Sequence, residues 1–377
     1  MKIETKVEKF NEPLHLESGR ILEEFELVYE TYGELNEDKS NVIVICHALS
    51  GSHHAAGRYS NEAKPGWWNK FIGDGKAIDT TKYFVICSNS LGSSFGSTNP
   101  LSIDPSTKKE YRFRFPVLAI SDVVKAQMRL YDRLGIKKAV AVVGGSMGGM
   151  QTLCYAIEQA NFATHYIAMA TTAYTRPWAI AVNKIAIEAI KRDPDFKDGM
   201  YDKDDIKANG LVGLAVGRMA GLNAYLSPKL FNRKFGRDYS EQDGLYELFG
   251  NFEVEKYLEY NAFNFPKTFD PLSYLYVCKT MNIFDVGRNK DKVEDSFEKV
   301  NGKLHLISFE DDMLFFPEEM EEIRDIMIKI GKKEQVTYKK IDSQSGHDSF
   351  LVEVEKFEDY VVDILEGKVW VKKLKKN

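Results

Sequence analysis

The chain has 377 residues, of which 44% are hydrophobic and 28% are charged. This composition is ordinary for a globular protein, and the length is sufficient for one large α/β domain with insertions. Because 51 basic and 56 acidic residues give a net charge of −5, there is no basic surplus to predict a nucleic-acid or anionic-membrane surface.

The N-terminus and the cysteines indicate the expected compartment. The first residues are charged and lack the apolar core of a secretory signal, and no apolar run reaches the ~20 residues that a membrane-spanning helix needs. The four cysteines are widely spaced and form no CxxC motif, which predicts buried free thiols rather than disulfides. They are Cys46, Cys87, Cys154 and Cys278. We therefore expect a cytoplasmic protein with no membrane segment.

The first half of the chain predicts a mostly parallel sheet. Residues 24–32 alternate apolar and polar side chains, which predicts an antiparallel strand. Four continuous apolar runs follow at residues 41–47, 83–88, 139–143 and 165–170, as expected for strands covered on both faces. Residues 121–135 begin at a capping serine, repeat apolar residues at helical spacing and end at a glycine. This alternation of strands and helix predicts parallel pairing with right-handed crossovers.

From about residue 178 to residue 288 the periodicity becomes helical. The strongest predicted helices cover residues 179–191, 205–226 and 271–284, and strands return at 303–308 and 335–341 before an amphipathic helix at 350–365. A helical block that interrupts a strand–helix series predicts a lid inserted into one α/β domain. We expect a core of residues 1–177 plus 289–377 and a lid of residues 178–288.

A G-x-S-x-G motif lies between a predicted strand and a predicted helix. It places Ser146 between Gly144 and Gly148, directly after the strand at 139–143. A turn this tight strains the backbone of the nucleophile and requires small neighbours, and it points the serine oxygen away from the sheet. The spacing predicts Ser146 as a nucleophile and the N–H of Met147 as an oxyanion donor.

A nucleophilic serine needs a histidine base, and in this fold the order along the chain is serine, acid, histidine. The seven histidines are His15, His47, His53, His54, His165, His305 and His347. His305 lies inside a predicted strand, where we expect a packing role. His347 lies in the loop after the last predicted strand, where a catalytic histidine is expected.

The acid should follow the strand at 303–308. Asp311 and Asp312 both qualify and Glu310 is a weaker third candidate, because spacing alone does not choose among neighbours. The acid would fix the imidazole tautomer and stabilise the imidazolium.

The loop after the strand at 41–47 is expected to supply a second oxyanion donor, the N–H of Leu49. The same loop carries His47, His53 and His54, which raises the alternative of a metal site. No acidic residue or cysteine accompanies them at ligand spacing, so we predict no metal.

Eight motifs, in order along nearly the whole chain, resemble those of the homoserine O-acetyltransferases, a family of the α/β-hydrolase superfamily. They are HALSGSHHAAG (47–57), NSLGSSFGSTNP (89–100), GGSMGGMQ (144–151), GLAVGRMAGLNAYLS (213–227), FEVEKYLEY (252–260), SYLYVCKTMNIFDV (273–286), SFEDDMLFFP (308–317) and SGHDSFLVE (345–353).

The resemblance implies an α/β-hydrolase core with a helical lid that forms a homodimer. It implies ping-pong transfer of an acetyl group from acetyl-CoA, a co-substrate, to L-homoserine for methionine biosynthesis, with no permanently bound cofactor. It also places the acid on Asp312. Arg218 and Tyr225 match substrate-binding positions, with Arg218 suited to a carboxylate, and Asp348 matches a position suited to the substrate amino group. Arg218 and Tyr225 are seven residues apart and so share one face of a helix.

Some positions depart from the family pattern, and they are expected around the pocket mouth and the acyl channel. They are Ser93-Ser94, Asn99-Pro100, Met313 and Phe316-Pro317. They leave open an O-succinyltransferase that acts on homoserine or serine, and a serine esterase that uses water as acceptor. A non-catalytic binding protein would be expected to have lost part of the triad, whereas all three residues are present.

Overall fold

The computed structural model describes residues 1–241 and 244–369, and eight strands in this part of the chain form one sheet. The strands are β1 (Ile3–Phe10), β2 (Phe25–Tyr32), β3 (Val42–Cys46), β4 (Phe84–Ser88), β5 (Ala139–Gly145), β6 (Ala163–Met169), β7 (Lys303–Phe309) and β8 (Val336–Ile341). Two short pairs lie outside it, Leu14–His15 with Ile21–Leu22 and Ile72–Gly73 with Ile78–Asp79.

The order of strands across the sheet is β1-β2-β4-β3-β5-β6-β7-β8. β2 pairs antiparallel with both β1 and β4, and every pair from β4 to β8 is parallel. All five residues of β3 are buried, which is why its sequence is continuously apolar rather than alternating. The predicted α/β-hydrolase fold, a mostly parallel sheet flanked by helices, is confirmed.

Twelve helices surround the sheet in the described ranges. They are α1 (Ile120–Arg133), α2 (Met147–Glu158), α3 (Pro177–Arg192), α4 (Lys203–Asn209), α5 (Val212–Tyr225), α6 (Pro228–Phe235), α7 (Glu253–Asn264), α8 (Pro271–Asn282), α9 (Glu294–Phe297), α10 (Pro317–Lys329), α11 (Ser349–Val352) and α12 (Glu358–Leu365). The sheet has an apolar core on each face: α1, α2 and α10 contribute to one, and α11 and α12 contribute to the other. No helix of the described residues is long and apolar enough to cross a membrane.

Helices α3 to α9 lie in the connection from β6 to β7, and α5 packs against both α3 and α7. Where α3 and α5 meet, a Cβ on Gly213 would lie 2.3 Å from the carbonyl oxygen of Ala189, so the two backbones approach closely. The exact boundaries of the predicted core and lid domains remain a prediction.

Two predicted helices are broken in the structure. The helix expected at residues 205–226 divides at Gly210, whose φ of +82° is left-handed and ends α4 before α5 begins. The helix expected at 350–365 divides into α11, a short 3₁₀ turn at Val354–Lys356, and α12.

Candidate active site

Ser146 occupies a strained turn between β5 and α2. Its backbone has φ 58° and ψ −124°, a conformation that costs a non-glycine residue about 1–3 kcal/mol. The strain is held from both sides: the Ser146 N–H donates to the carbonyl of Met169, and the Thr171 hydroxyl donates to the carbonyl of Ser146, each at 3.0 Å. The turn therefore fixes the position of the Ser146 side chain before any substrate binds.

The flanking glycines of the motif are required by close backbone contact. A Cβ on Gly144 would lie 2.3 Å from the carbonyl oxygen of Gly148, and a Cβ on Gly148 would lie 2.0 Å from that of Cys46. Side chains at either position would push β5, α2 and β3 apart. The two glycines of the G-x-S-x-G motif are thus explained by the close packing of β5, α2 and β3 at this point of the sheet.

The structure brings Ser146, His347 and Asp312 together although they lie far apart in the chain. Nε2 of His347 lies 2.8 Å from the Ser146 oxygen, and Nδ1 of His347 lies 2.8 Å from Oδ2 of Asp312. The other oxygen of Asp312 accepts the N–H groups of Leu314 and Phe315 at 2.9 and 3.0 Å. All three catalytic candidates are buried, so their hydrogen bonds are shielded from water.

His347 has a shifted pKa with opposing causes. Burial lowers the pKa, but the charge and hydrogen bond of Asp312, with smaller effects of Asp348 and Glu319, raise it, and the net shift is upward. A more basic imidazole is a stronger acceptor for the serine proton. Asp311, the alternative acid, instead pairs with Lys229 at 2.8 Å.

The two candidate oxyanion donors lie beside the nucleophile. Met147 is the first residue of α2, and Leu49 lines the same cavity as Ser146. Within the described ranges, neither N–H group donates a hydrogen bond to another part of the protein. Both N–H groups are thus available to a negatively charged oxygen, as an oxyanion hole requires.

A cavity of about 60 Å³ lies next to Ser146, and all three candidate substrate-binding residues line it: Arg218, Tyr225 and Asp348. The Arg218 guanidinium lies 5.5 Å from the ring centre of Tyr225 and 4.8 Å from that of Phe265, and this aromatic packing fixes its direction. Asp348 has a raised pKa because burial outweighs the lowering effects of His347 and Arg218. The cavity thus offers one cation and one carboxylate to a ligand.

Asn183 on α3 also lines this cavity and was missed by sequence reasoning. Its side chain is buried and donates to Oδ1 of Asn282 at 2.7 Å. A single polar residue in a predicted lid helix gives no signal until it is known which face of the helix lies over the nucleophile.

A larger cleft of about 470 Å³ lies between α1, α2 and residues 283–299, and none of the predicted site residues line it.

The positions that depart from the family pattern are not among the residues that line the cavity, so their expected place around the pocket mouth and the acyl channel remains a prediction. Ser94 is buried in the loop after β4, where its hydroxyl accepts the N–H of Asp270 at the start of α8 at 3.0 Å. The backbone carbonyl of Met313 accepts the indole N–H of Trp178 at 2.5 Å, and Phe316 lies at the surface. The neighbours that do line the cavity, Leu314 and Phe315, are apolar.

Four of the other histidines, His53, His54, His165 and His305, have structural partners. His305 is buried in β7, and its Nε2 lies 3.0 Å from Nδ1 of His165, in keeping with the packing role expected for it. His54 contacts the buried carboxylate of Glu30 at 2.9 Å, and His53 lies 3.8 Å from the same group. The tyrosine hydroxyl of Tyr32 also donates to Glu30, at 2.5 Å. No group with the composition of a metal site occurs among the described residues.

Comparison with known proteins gives matches across nearly the whole chain. Residues 41–354 match the family of the alpha/beta hydrolase fold. The chain is 59% identical over 370 residues to a homoserine O-acetyltransferase of Nautilia profundicola, which covers 98% of this chain and 100% of that protein. It is 57% identical over 367 residues to a homoserine O-acetyltransferase of Sulfurimonas autotrophica, covering 97% of this chain and 100% of that one.

Solved structures of two activities match the fold almost equally well. The homoserine O-acetyltransferase of Bacillus anthracis matches with a TM-score of 0.88 at 28% identity, covering 97% of this chain and 98% of that one. A structure of esterase E22 matches with a TM-score of 0.87, also at 28% identity, covering 97% of this chain and 100% of that one. The fold alone therefore does not distinguish acyl transfer from ester hydrolysis, whereas the relatives of Nautilia profundicola and Sulfurimonas autotrophica are both acetyltransferases by name.

Proposed function

The chain belongs to the homoserine O-acetyltransferase family of the α/β-hydrolase fold, and from this we propose that it transfers an acetyl group from acetyl-CoA to the hydroxyl of L-homoserine. The observation that carries the proposal is the placement of Arg218 and Asp348 in one cavity with Ser146. An α-amino acid presents a carboxylate and an ammonium group, and this cavity offers a charge of opposite sign to each.

In the first half of the reaction, His347 takes the proton of the Ser146 hydroxyl as the serine oxygen attacks the thioester carbonyl. The N–H groups of Leu49 and Met147 stabilise the negative oxygen of the tetrahedral intermediate. The carbon–sulfur bond then breaks, and the CoA thiolate takes the proton from His347. Asp312 keeps Nδ1 of His347 protonated, so that Nε2 is the atom that accepts and returns the proton.

In the second half, homoserine enters with its carboxylate on Arg218 and its ammonium group on Asp348. His347 removes the proton of the homoserine hydroxyl, whose oxygen attacks the acyl-serine, and Ser146 leaves with that proton. Water competes for the same intermediate. The helices that cover Ser146 favour the bound acceptor because they carry residues that hold it beside the acyl-serine.

The cavity favours an acetyl donor over a succinyl donor. Arg218 is the one lysine or arginine among the described residues that line it, and the proposed acceptor already uses this charge. A succinyl group would bring a second carboxylate with no cation to bind it, and burying an unpaired charge is costly.

The test is thiol release by the purified protein from acetyl-CoA or succinyl-CoA, each with and without L-homoserine or L-serine. We expect release that depends on both acetyl-CoA and homoserine. The Ser146→Ala variant should lose all of it while keeping the wild-type thermal unfolding midpoint. Turnover of a simple ester with no stimulation by homoserine would instead establish the esterase, which the similarity to esterase E22 makes the second candidate.

We further propose that the enzyme works in the cytoplasm, where acetyl-CoA is available to a biosynthetic enzyme. The four cysteines support this location because all are buried as free thiols. We also propose a homodimer formed through the lid, whose helices expose apolar side chains.

A further inference from the structure

His47 lies at the start of the loop that carries Leu49, and none of its side chain is exposed. Both ring nitrogens have partners. The N–H of Ser90 donates to Nε2 of His47 at 2.9 Å, and Nδ1 lies 2.8 Å from the carbonyl oxygen of Ala48. No step of the proposed reaction uses the His47 ring. The reaction therefore does not explain why this ring is buried beside the active site.

The two contacts determine the protonation of the ring. A backbone N–H can only donate, so Nε2 of His47 must carry a lone pair and cannot carry a proton. The carbonyl of Ala48 can only accept, so Nδ1 must carry the proton. Burial also lowers the pKa of His47 to about 4, against a smaller raising effect of Ala48, which keeps the ring neutral at physiological pH. His47 is therefore the neutral Nδ1–H tautomer.

The proton on Nδ1 fixes the plane of one particular peptide. The Ala48 carbonyl belongs to the same planar unit as the N–H of Leu49, and in a trans peptide the two point in opposite directions. Holding that oxygen therefore sets the direction of the Leu49 N–H. The N–H of Gly51 donates to the same carbonyl at 3.0 Å, which closes a turn around it.

The backbone of His47 is tied to the nucleophile helix as well. Its carbonyl oxygen accepts the side-chain amide of Gln151 on α2 at 3.2 Å. Helix α2 begins at Met147, the other candidate oxyanion donor. His47 thus connects the two N–H groups that must converge on one oxygen.

We propose that His47 is a positioning residue that aims the Leu49 N–H at the acyl oxygen through the hydrogen bond from Nδ1 to the Ala48 carbonyl. This inference rests on the proposed function insofar as it takes Ser146 as the nucleophile and Leu49 as an oxyanion donor. It does not depend on which acceptor takes the acyl group afterwards.

Two variants of His47 separate the two ring contacts. In His47→Asn the side-chain nitrogen reaches the Nδ1 position and can still donate to Ala48. In His47→Gln the side-chain oxygen reaches the Nε2 position and can still accept from Ser90, but the Nδ1 donor is lost. A purely structural role for the buried ring would make both variants defective to a similar degree.

The measurement is the burst of p-nitrophenol from p-nitrophenyl acetate, which reports acylation of Ser146 whatever the later acceptor is. Removal of one oxyanion donor typically costs about 10²–10³-fold in rate, so we expect His47→Gln to acylate about 10²-fold more slowly with a nearly unchanged KM. His47→Asn should retain at least about a fifth of the wild-type rate, since it keeps the donor that sets the peptide.

Equal rate losses in the two variants, or no loss in His47→Gln, would overturn the proposal. If His47→Gln does not fold, as judged by thermal unfolding, His47→Asn alone decides: a folded variant that acylates about 10²-fold more slowly than wild type contradicts the positioning role. A wild-type burst without homoserine-dependent CoA release would count against the proposed transferase only, and the comparison of the two variants would still stand.

Discussion

Asp311 and Asp312 are neighbours, and the local backbone gives them opposite environments. Asp312 is buried and turns toward His347, while its second oxygen accepts two N–H groups of the following turn, those of Leu314 and Phe315. Asp311 instead pairs with the exposed Lys229 on α6 at 2.8 Å. The N–H groups of Leu314 and Phe315 orient the Asp312 carboxylate. They would also determine the orientation of an asparagine side chain at position 312.

We predict that Asp312→Asn abolishes turnover by imposing the wrong histidine tautomer. The two backbone N–H groups require an acceptor, so the amide oxygen of the asparagine will stay there and its NH₂ group will face Nδ1 of His347. That nitrogen must then accept, which moves the proton to Nε2 and removes the base from Ser146. We expect kcat to fall about 10³–10⁴-fold with little change in stability.

Asp311→Asn is the matched control, because it makes the same chemical change one residue away. It should keep kcat close to the wild-type value and lose only a surface ion pair worth about 0–1 kcal/mol. Steady-state kinetics of both variants with acetyl-CoA and homoserine provide the test. Comparable losses in the two, or a nearly active Asp312→Asn, would rule out Asp312 as the group that orients the base.

The residues of the candidate site differ in how far the sequence could predict them. The strand–turn–helix context identifies Ser146, and the loop after the last strand identifies His347, because both signals are local. The choice of Asp312 over Asp311 depends on the path of a turn that spacing does not encode, and only the family resemblance predicted it. Asn183 depends on how a lid helix is rotated over the sheet, which is a property of tertiary packing.

At the scale of elements, continuous apolar runs predicted the buried strands to within two residues at each end, because both of their faces must be covered. β1 was not predicted, since it forms an edge of the sheet and half of its residues are charged. The break at Gly210 was missed for a related reason. Apolar spacing reports which residues are buried, and it does not register the positive φ of the single glycine that ends α4.

The neighbouring strands β6, β7 and β8 are joined by a buried polar chain. His165 on β6 contacts His305 on β7 at 3.0 Å, and Nδ1 of His305 lies 2.8 Å from the hydroxyl of Thr337 on β8. Burial is the main cause that lowers the pKa of His165 to about 4 and the pKa of His305 well below its usual value. Both rings are therefore neutral in the folded protein at neutral pH.

This pair predicts a loss of stability in mild acid. In the unfolded chain both histidines take up protons near pH 6.5, whereas in the folded protein they do not until the pH is far lower. The unfolded state then binds more protons, so stability is full above about pH 6.5 and falls as the pH drops toward 4. Each histidine contributes a slope of up to about 1.4 kcal/mol per pH unit.

The measurement is the free energy of unfolding in urea at several pH values between 7 and 5. The double variant His165→Phe with His305→Phe should show a shallower pH slope than the wild type, even if it is less stable overall. His15→Gln, at an exposed position, is the control and should leave the slope unchanged. An identical slope in the double variant would show that these two histidines do not carry the acid sensitivity.

At the scale of the whole molecule, the lid helices expose apolar side chains on their outer faces. Ile185 on α3, Val212 on α5 and Tyr260 on α7 are 54%, 59% and 71% exposed. Apolar patches of this kind on adjoining helices are typical of protein–protein interfaces. Because α5 carries Arg218 and Tyr225 on its inner face, a partner that packs on its outer face would also stabilise the substrate end of the cavity.

We predict that the wild-type protein elutes with twice the 43.0 kDa mass of the chain in size-exclusion chromatography with light scattering, and that Val212→Glu with Val216→Glu converts it to a monomer. Both residues are exposed one turn apart on α5, so the two glutamates would bring like charges together across a symmetric interface. Ile103→Glu, at an equally exposed apolar residue outside the lid, should remain dimeric.

The same variants test whether assembly supports catalysis. If the partner holds α5 in place, the monomeric variant should show a raised KM for homoserine, while the p-nitrophenyl acetate burst, which needs only the core and Ser146, should persist. A wild-type protein that elutes as a monomer, or a dimer that survives both glutamates, would contradict assembly through this face. A monomeric variant with an unchanged KM for homoserine would support the proposed interface, but it would show that the interface does not influence Arg218.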